Sequence, residues 1–179
     1  MASVGAPADG WLERDGVGLH YLEWMPESAS NRPPLLLLHG LSSNARYWER
    51  LARHLPQRRL IALDQRGHGL TGQPPRAPRF PDGYAMEELL RDVDSAIDKL
   101  RLEKAVVVGH SWGATVALEL VGTRQGSLGG LVFIDGPVQS ASNLVSWEEA
   151  QKSMQPPLPR FTTFEETVAQ PERDFEGHG

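Results

Sequence analysis

The chain has 179 residues, 40% of them hydrophobic and 23% charged, which is typical of one soluble globular domain with a sizeable core. Its formal net charge of -5 argues against a nucleic-acid binder, and the lack of cysteine excludes disulfides and thiolate metal sites. The N-terminus shows no signal-peptide pattern and the longest aliphatic run has four residues, so we expect a cytoplasmic protein with no membrane span.

The first part of the chain predicts a disordered segment, a hairpin, a strand and a helix. Residues 1–10 are small and polar, so we expect a disordered lead-in. Residues 11–24 form two extended runs around an Asp-Gly dipeptide, which is typical of tight hairpin turns. After a proline-rich connector, Leu35–Leu38 predicts a strand covered on both faces, and residues 45–55 show the apolar spacing of a helix.

The next part alternates strands with helices. Buried strands are predicted at residues 60–63, 106–108 and 131–134, and helices at residues 84–100 and 114–124. This alternation predicts βαβ units, and therefore a mostly parallel sheet with helices on both faces. In such a sheet the functional loops follow the carboxyl ends of the strands.

Three motifs follow consecutive predicted parallel strands. They are His39-Gly40-Leu41, then Asp64-Gln65-Arg66-Gly67-His68-Gly69, and finally Gly109-His110-Ser111-Trp112-Gly113. The third is a G-x-S-x-G nucleophile elbow, in which a serine lies on a tight strand-to-helix turn and presents its hydroxyl above the sheet. Its glycines let the strand and the helix approach each other closely.

Through these motifs, residues 11–140 resemble the α/β-hydrolase fold superfamily. The resemblance implies that Ser111 is a nucleophile that forms an acyl-enzyme with an ester or related acyl substrate. It also implies an oxyanion hole made by the backbone N–H groups of Leu41 and Trp112. Trp112 and Ser42 are the candidate substrate-binding residues. No cofactor and no metal are expected.

Other interpretations of the motif residues stay open. Ser111 has the type and position of a helix N-cap, where its oxygen would accept a backbone N–H. His39, His68 and His110 could form a metal cluster, but we expect them to orient loops by hydrogen bonding.

Among the charged residues that follow predicted strands, Arg66 and Asp135 also have two interpretations each. Arg66 either pairs with a carboxylate or is a solvated surface charge. Asp64 is expected to accept hydrogen bonds from nearby backbone N–H groups. Asp135 is a candidate catalytic acid, because some members of the superfamily take that acid from the end of the strand after the nucleophile helix. Otherwise it is a turn residue at a strand end.

Residues 141–179 resemble the start of the cap segment of the family. After Ser111 the sequence holds one histidine, His178, whose flanking glycines make it a poor general base. The two C-terminal strands that carry the family's usual acid and histidine are missing, which predicts a truncated product or part of a longer chain. We therefore expect the chain to be inactive alone and to self-associate through an exposed sheet edge.

The sequence favours a serine hydrolase acting on a small-molecule acyl substrate. Serine at position 111 disfavours the superfamily's epoxide hydrolases and haloalkane dehalogenases, which use a carboxylate nucleophile. The alternative is a non-catalytic, truncated hydrolase-like protein that binds a ligand or a partner. Nucleotide binding is disfavoured, because Ser111 stands where a dinucleotide-binding loop needs glycine.

Overall fold

The structure, a computed structural model, describes residues 5–73, 82–124 and 126–136. The chain divides into two units, Met1–Val138 and Gln139–Gly179. The predicted cap segment and His178 lie in the second unit, outside the described residues.

The N-terminal hairpin is confirmed. Strand β1 (Ala8–Arg14) pairs antiparallel with β2 (Val17–Trp24). The turn residues Asp15 and Gly16 have φ values of 50° and 81°. Two consecutive positive φ angles match the right-handed twist of the strands, and an Asp-Gly dipeptide adopts them at low cost.

The disordered lead-in predicted for residues 1–10 is wrong at its end, because β1 begins at Ala8. Ala8 lies opposite Glu23 in the strand register, and Gly10 lies opposite Tyr21. A side chain at Gly10 would meet the Tyr21 ring, so the glycine lets that ring cover the strand. Backbone pairing therefore orders these residues without apolar side chains of their own.

Four short strands complete a six-stranded sheet. They are β3 (Leu35–Leu38), β4 (Leu60–Leu63), β5 (Val106–His110) and β6 (Gly130–Ile134). The strand order is β1-β2-β4-β3-β5-β6, and pairing is parallel from β4 through β6. Every side chain of β3 and β4 is buried, which explains their continuous apolar sequences.

Helices cover both faces of this sheet, as predicted. Helix α2 (Met86–Lys99) and helix α3 (Trp112–Thr123) pack against one face, where Leu36 and Leu38 lie. The other face carries Leu35 and Leu37. There the chain forms a 3-10 helix (Ala45–Trp48) followed by helix α1 (Glu49–Ala52). The buried side chains of both elements pack against those leucines.

The helix predicted over residues 45–55 is thus two short turns. Two backbone N–H groups at the start of the 3-10 helix donate to side chains. Asp64 accepts from the Ala45 N–H at 2.6 Å, and Asn44 accepts from the Arg46 N–H at 3.0 Å. A second 3-10 helix, Asp82–Tyr84, precedes α2.

Parallel pairing brings the carboxyl ends of β3, β4, β5 and β6 to one edge of the sheet. The three sequence motifs and Asp135 follow those ends. Within the described ranges, no helix has both the length and the apolar character needed to cross a bilayer.

Candidate active site

Ser111 joins β5 to α3 in a strained backbone conformation, with φ of 51° and ψ of −117°. A non-glycine residue in such a region costs about 1–3 kcal/mol and persists only where the surroundings enforce it. Ser111 stands at the N-cap position, yet its side chain makes no capping hydrogen bond, so the N-cap interpretation is wrong. Its backbone N–H donates to the Ile134 carbonyl at 2.9 Å, which ties the turn to β6.

The two motif glycines lie where no side chain fits. A Cβ on Gly109 would lie 2.3 Å from the Gly113 carbonyl oxygen, and a Cβ on Gly113 would lie 2.3 Å from the Leu38 carbonyl oxygen. Both neighbours are backbone atoms and cannot move aside locally. The close contact of β3, β5 and α3 therefore requires glycine at both positions.

The loop after β3 packs directly against this elbow. A Cβ on Gly40 would lie 3.3 Å from the Ser111 Cβ and 3.1 Å from the His110 Nδ1. The peptide between Gly40 and Leu41 is therefore next to the candidate nucleophile. Ser42 follows in the same turn and is exposed.

His39 fixes the orientation of that peptide. Its Nδ1 lies 2.7 Å from the Gly40 carbonyl oxygen, which only accepts, so Nδ1 carries the proton. Its Nε2 accepts from the Gln65 backbone N–H at 3.1 Å. The ring is fully buried, and burial lowers the pKa of His39 below its ordinary value, which favours this neutral tautomer.

The carbonyl held by His39 determines where the next N–H points. In a planar trans peptide the C=O of Gly40 and the N–H of Leu41 point in opposite directions, so this N–H faces away from the His39 ring. Within the described part of the chain, the N–H groups of Leu41 and Trp112 donate to no other residue. The Trp112 side chain is partly buried against the core on the α2 and α3 face.

Asp64 connects three segments at the carboxyl edge. Besides the Ala45 N–H, its buried carboxylate accepts from the Leu70 N–H at 2.9 Å and lies 2.8 Å from the His20 Nδ1. The expectation that it bonds backbone N–H groups is confirmed. A Cβ on Gly69 would lie 2.1 Å from the Asp64 Oδ2, so this glycine lets the loop fold back over the carboxylate.

Arg66 pairs with a carboxylate, which decides between its two interpretations. Its Nε and Nη2 donate to the two oxygens of Asp92 in α2 at 2.6 and 2.7 Å, and both side chains are 2% exposed. Arg14 in β1 also donates to Asp92, at 2.6 Å. The pair anchors the loop after β4 to a helix of the core.

Two further histidines border the site. His68 Nε2 lies 2.8 Å from the Leu41 carbonyl oxygen, and His68 Nδ1 lies 3.1 Å from the Arg66 carbonyl oxygen. The His110 ring stacks on Tyr47 with centroids 4.8 Å apart, and its Nδ1 is buried without a hydrogen-bond partner. In the described ranges, no group of three or more histidine, aspartate and glutamate side chains is arranged to hold a metal ion.

Asp135 directly follows β6, is exposed and has a φ of 46°. Its neighbours contact the elbow on both sides: the Ile134 carbonyl accepts from Ser111, and a Cβ on Gly136 would lie 2.6 Å from the Ala114 Cβ. The loop that carries Asp135 is thus adjacent to the first turn of α3.

Sequence reasoning missed the roles of Asp92 and His20. Asp92 lies at helical spacing between Leu89 and Ala96 on the buried face of α2, and a carboxylate on such a face needs a buried partner. This helical spacing was the signal in the sequence that Asp92 is buried and has a partner. His20 is buried between the carboxylates of Asp64 and Asp9, and no local pattern indicates this contact.

The chain is similar to known hydrolases. The family model for the alpha/beta hydrolase fold matches residues 33–173. Epoxide hydrolase 1 of Caenorhabditis elegans is 32% identical over 114 residues, which cover 61% of this chain and 26% of that protein. Lipase LipV of Mycobacterium tuberculosis is 31% identical over 122 residues, which cover 68% of this chain and 43% of the lipase.

The chain is also similar to a solved structure. The alpha/beta hydrolase from Novosphingobium aromaticivorans matches with a TM-score of 0.62 and 26% identity, covering 70% of this chain and 43% of that one. The chain spans less than half the length of each of these three relatives. The family model covers most of the sequence, and the elbow and the sheet order agree with it, so the chain belongs to the alpha/beta hydrolase fold family.

Proposed function

We propose that the protein is a serine hydrolase that cleaves an ester or a related acyl substrate through a covalent intermediate on Ser111. The observation that carries the proposal is the strained backbone of Ser111 combined with a hydroxyl that makes no hydrogen bond to any described residue. Strain of this kind is concentrated at functional sites. A serine with only a structural role would be expected to bond a neighbouring amide.

In the proposed reaction the Ser111 Oγ attacks the carbonyl carbon of the substrate while a general base removes its proton. The carbonyl π electrons move to oxygen and form a tetrahedral oxyanion. This intermediate collapses, the C–O bond to the leaving group breaks, and the leaving group takes a proton from the protonated base. Water then attacks the acyl-enzyme by the same steps and releases the acid and free Ser111.

The backbone N–H groups of Leu41 and Trp112 are the proposed donors to the oxyanion. Both are free of partners in the described part of the chain, and the Leu41 peptide packs beside Ser111. The N–H of Trp112 also lies at the N-terminus of α3, where the helix dipole favours negative charge. Donors fixed before the reaction stabilise the oxyanion without reorganisation.

The general base of this proposal lies outside residues 5–73, 82–124 and 126–136. None of the five described histidines bonds the Ser111 hydroxyl. His20, His39 and His68 have both ring nitrogens in contact with other groups, and the His110 ring stacks on Tyr47. Asp135 is the candidate acid, supported by its place beside the elbow.

The proposed substrate class follows from the nucleophile. The matched relatives include an epoxide hydrolase and a lipase, so the fold alone does not select the bond that is cleaved. A serine hydroxyl at position 111 favours attack on an acyl carbon, as in esters, thioesters and lactones. Ser42 and Trp112 are the proposed substrate contacts.

A fluorophosphonate probe tests the nucleophile in the full-length gene product. We expect one label, on Ser111, and none in Ser111→Ala. Ser127→Ala is the matched control, because Ser127 is exposed and its hydroxyl donates to the Arg124 carbonyl; it should label like the wild type. Labelling at another residue, or none in the wild type, would overturn the proposal.

The second candidate is a non-catalytic protein that binds a ligand or a partner. It is favoured by the lack of a described histidine bonded to Ser111 and by apolar side chains exposed on β6. Steady-state ester hydrolysis by the 179-residue chain, lost in Ser111→Ala, would exclude it. We expect no measurable turnover from that chain, because no base among the described residues is in contact with the serine.

A further inference from the structure

His68, in the loop after β4, contacts the backbone of the loop after β3 at Leu41. Its Nε2 lies 2.8 Å from the carbonyl oxygen of Leu41, which is 27 residues earlier in the chain. His39 bonds the preceding carbonyl, that of Gly40, at 2.7 Å. Two histidines therefore hold two consecutive carbonyl groups beside Ser111.

These two contacts fix the conformation of Leu41. His39 holds the peptide plane before this residue, and His68 holds the plane after it. Because each peptide is planar, the backbone between them has two soft dihedrals, φ and ψ of Leu41. Holding both planes restricts both dihedrals, so the Leu41 N–H, whose peptide plane His39 orients, keeps its direction when the chain beyond it moves.

The His68 ring is itself anchored. Its second nitrogen, Nδ1, lies 3.1 Å from the Arg66 carbonyl oxygen, and Arg66 is tied to α2 by its buried pair with Asp92. The ring also lies 5.1 Å from the His39 ring, centroid to centroid. Both partners of His68 are carbonyl oxygens, which only accept, so a ring with one proton donates one of the two bonds.

We propose that His68 is a positioning residue of the oxyanion hole, acting through its Nε2–H bond to the Leu41 carbonyl. The inference rests on the proposed function, because it assigns the Leu41 N–H to the oxyanion. The substrate is not touched by His68. Its role is to hold the N–H in the direction in which negative charge develops during the reaction.

A matched pair of variants tests which bond matters. The amide nitrogen of His68→Gln stands near the position of Nε2 and can keep the bond to Leu41. That of His68→Asn stands near Nδ1 and can reach only the Arg66 carbonyl. For full-length protein acting on an activated ester, we expect kcat to fall about tenfold in His68→Asn with KM within about twofold, since the oxyanion forms in the transition state and not in the ground state.

In His68→Gln we expect kcat within about threefold of the wild type, because one donor to the Leu41 carbonyl remains. Equal kcat values in the two variants, or a larger loss in His68→Gln, would overturn the inference. If His68→Asn does not fold, His68→Met fills a similar volume without a donor and takes its place in the comparison with His68→Gln.

A second measurement detects the hydrogen bond between His68 and the Leu41 carbonyl directly. In the ¹³C-labelled 179-residue chain, loss of the bond should move the Leu41 carbonyl resonance upfield in His68→Asn and leave it near the wild-type position in His68→Gln. An unchanged resonance in His68→Asn would also overturn the inference. Wild-type protein that is not labelled at Ser111 would instead overturn the proposed function, and the inference with it.

Discussion

Arg66 and Asp92 meet in a two-point ion pair between the loop after β4 and helix α2, with N–O distances of 2.6 and 2.7 Å. Each side chain is 2% exposed. The Arg66 Nη1 also donates to the Gly83 carbonyl at 2.5 Å, so one guanidinium links the loop after β4 both to α2 and to the turn before α2. Parallel donation to both carboxylate oxygens makes this contact directional as well as strong.

Removing the Asp92 charge should destabilise the protein strongly. Asp92→Asn removes the buried anion that Arg66 and Arg14 share and leaves them the partly exposed Glu88 carboxylate. Breaking a buried pair in this way costs about 3–5 kcal/mol. Urea denaturation measures the loss. Asp94→Asn on the same helix is the matched control: Asp94 pairs with Arg124 at the surface, and the expected loss is at most about 1 kcal/mol. Equal losses would contradict the prediction.

Two glycines of α3 should respond in opposite ways to alanine. Gly113→Ala places a methyl group against the Leu38 carbonyl oxygen, and such overpacking costs about 1–3 kcal/mol or more. Gly122 has no atom within 4 Å of a Cβ, so Gly122→Ala should stabilise the helix by about 0.5–1 kcal/mol. The midpoints of urea denaturation measure both changes in stability. Destabilisation by Gly122→Ala, or no destabilisation by Gly113→Ala, would contradict the prediction.

Stability should fall with acid partly through His39. Burial lowers the pKa of His39 in the folded protein below the ordinary value of 6.5. Below that value the unfolded chain binds a proton that the folded chain does not, so the free energy of unfolding decreases as the pH falls. The slope from one such group is at most about 1.4 kcal/mol per pH unit.

The His39→Asn variant isolates this contribution, because its amide can still donate to the Gly40 carbonyl but does not titrate. Urea denaturation between pH 5 and pH 8, roughly the range of histidine titration, should give a shallower slope for the variant than for the wild type. Parallel curves would show that His39 does not contribute to the acid sensitivity.

We also expect the 179-residue chain to self-associate through β6. Among the described residues β6 pairs only with β5, and its side chains of Val132, Phe133 and Ile134 are 36–44% exposed. An open strand edge is a template for pairing with a second copy. Val132→Lys should lower the apparent mass at high concentration in analytical ultracentrifugation. Leu118→Lys, at an equally exposed apolar position on α3, is the control and should not.

Local patterns predicted most of the fold. Asp15 and Gly16 predicted the hairpin, and the four short apolar runs predicted the parallel strands, because turn chemistry and burial act on neighbouring residues. The start of β1 at Ala8 was missed, since partner strands order residues that have no apolar pattern.

The sequence indicated the candidate nucleophile of the site but not the contacts that hold the surrounding loops. The elbow motif indicated Ser111, while the sequence left the partner of Arg66 open and did not indicate the contact of His68 with Leu41. These partners are 26 and 27 residues apart. His68 meets Leu41 because β4 and β3 end at one edge of the sheet. Arg66 meets Asp92 because α2 packs against the sheet. Such contacts depend on the register of the whole sheet.

The strand order also allows the sheet to assemble from its N-terminal strands. Strands β1 to β4 lie within residues 8–63 and are contiguous in the sheet. These four strands can therefore pair completely before the rest of the chain leaves the ribosome. Strand β5 then has a preformed edge to join, that of β3. In that order of assembly the elbow forms against the completed edge of β3, and a mutation that delays the pairing of β1 to β4 should reduce the yield of folded protein more than its final stability.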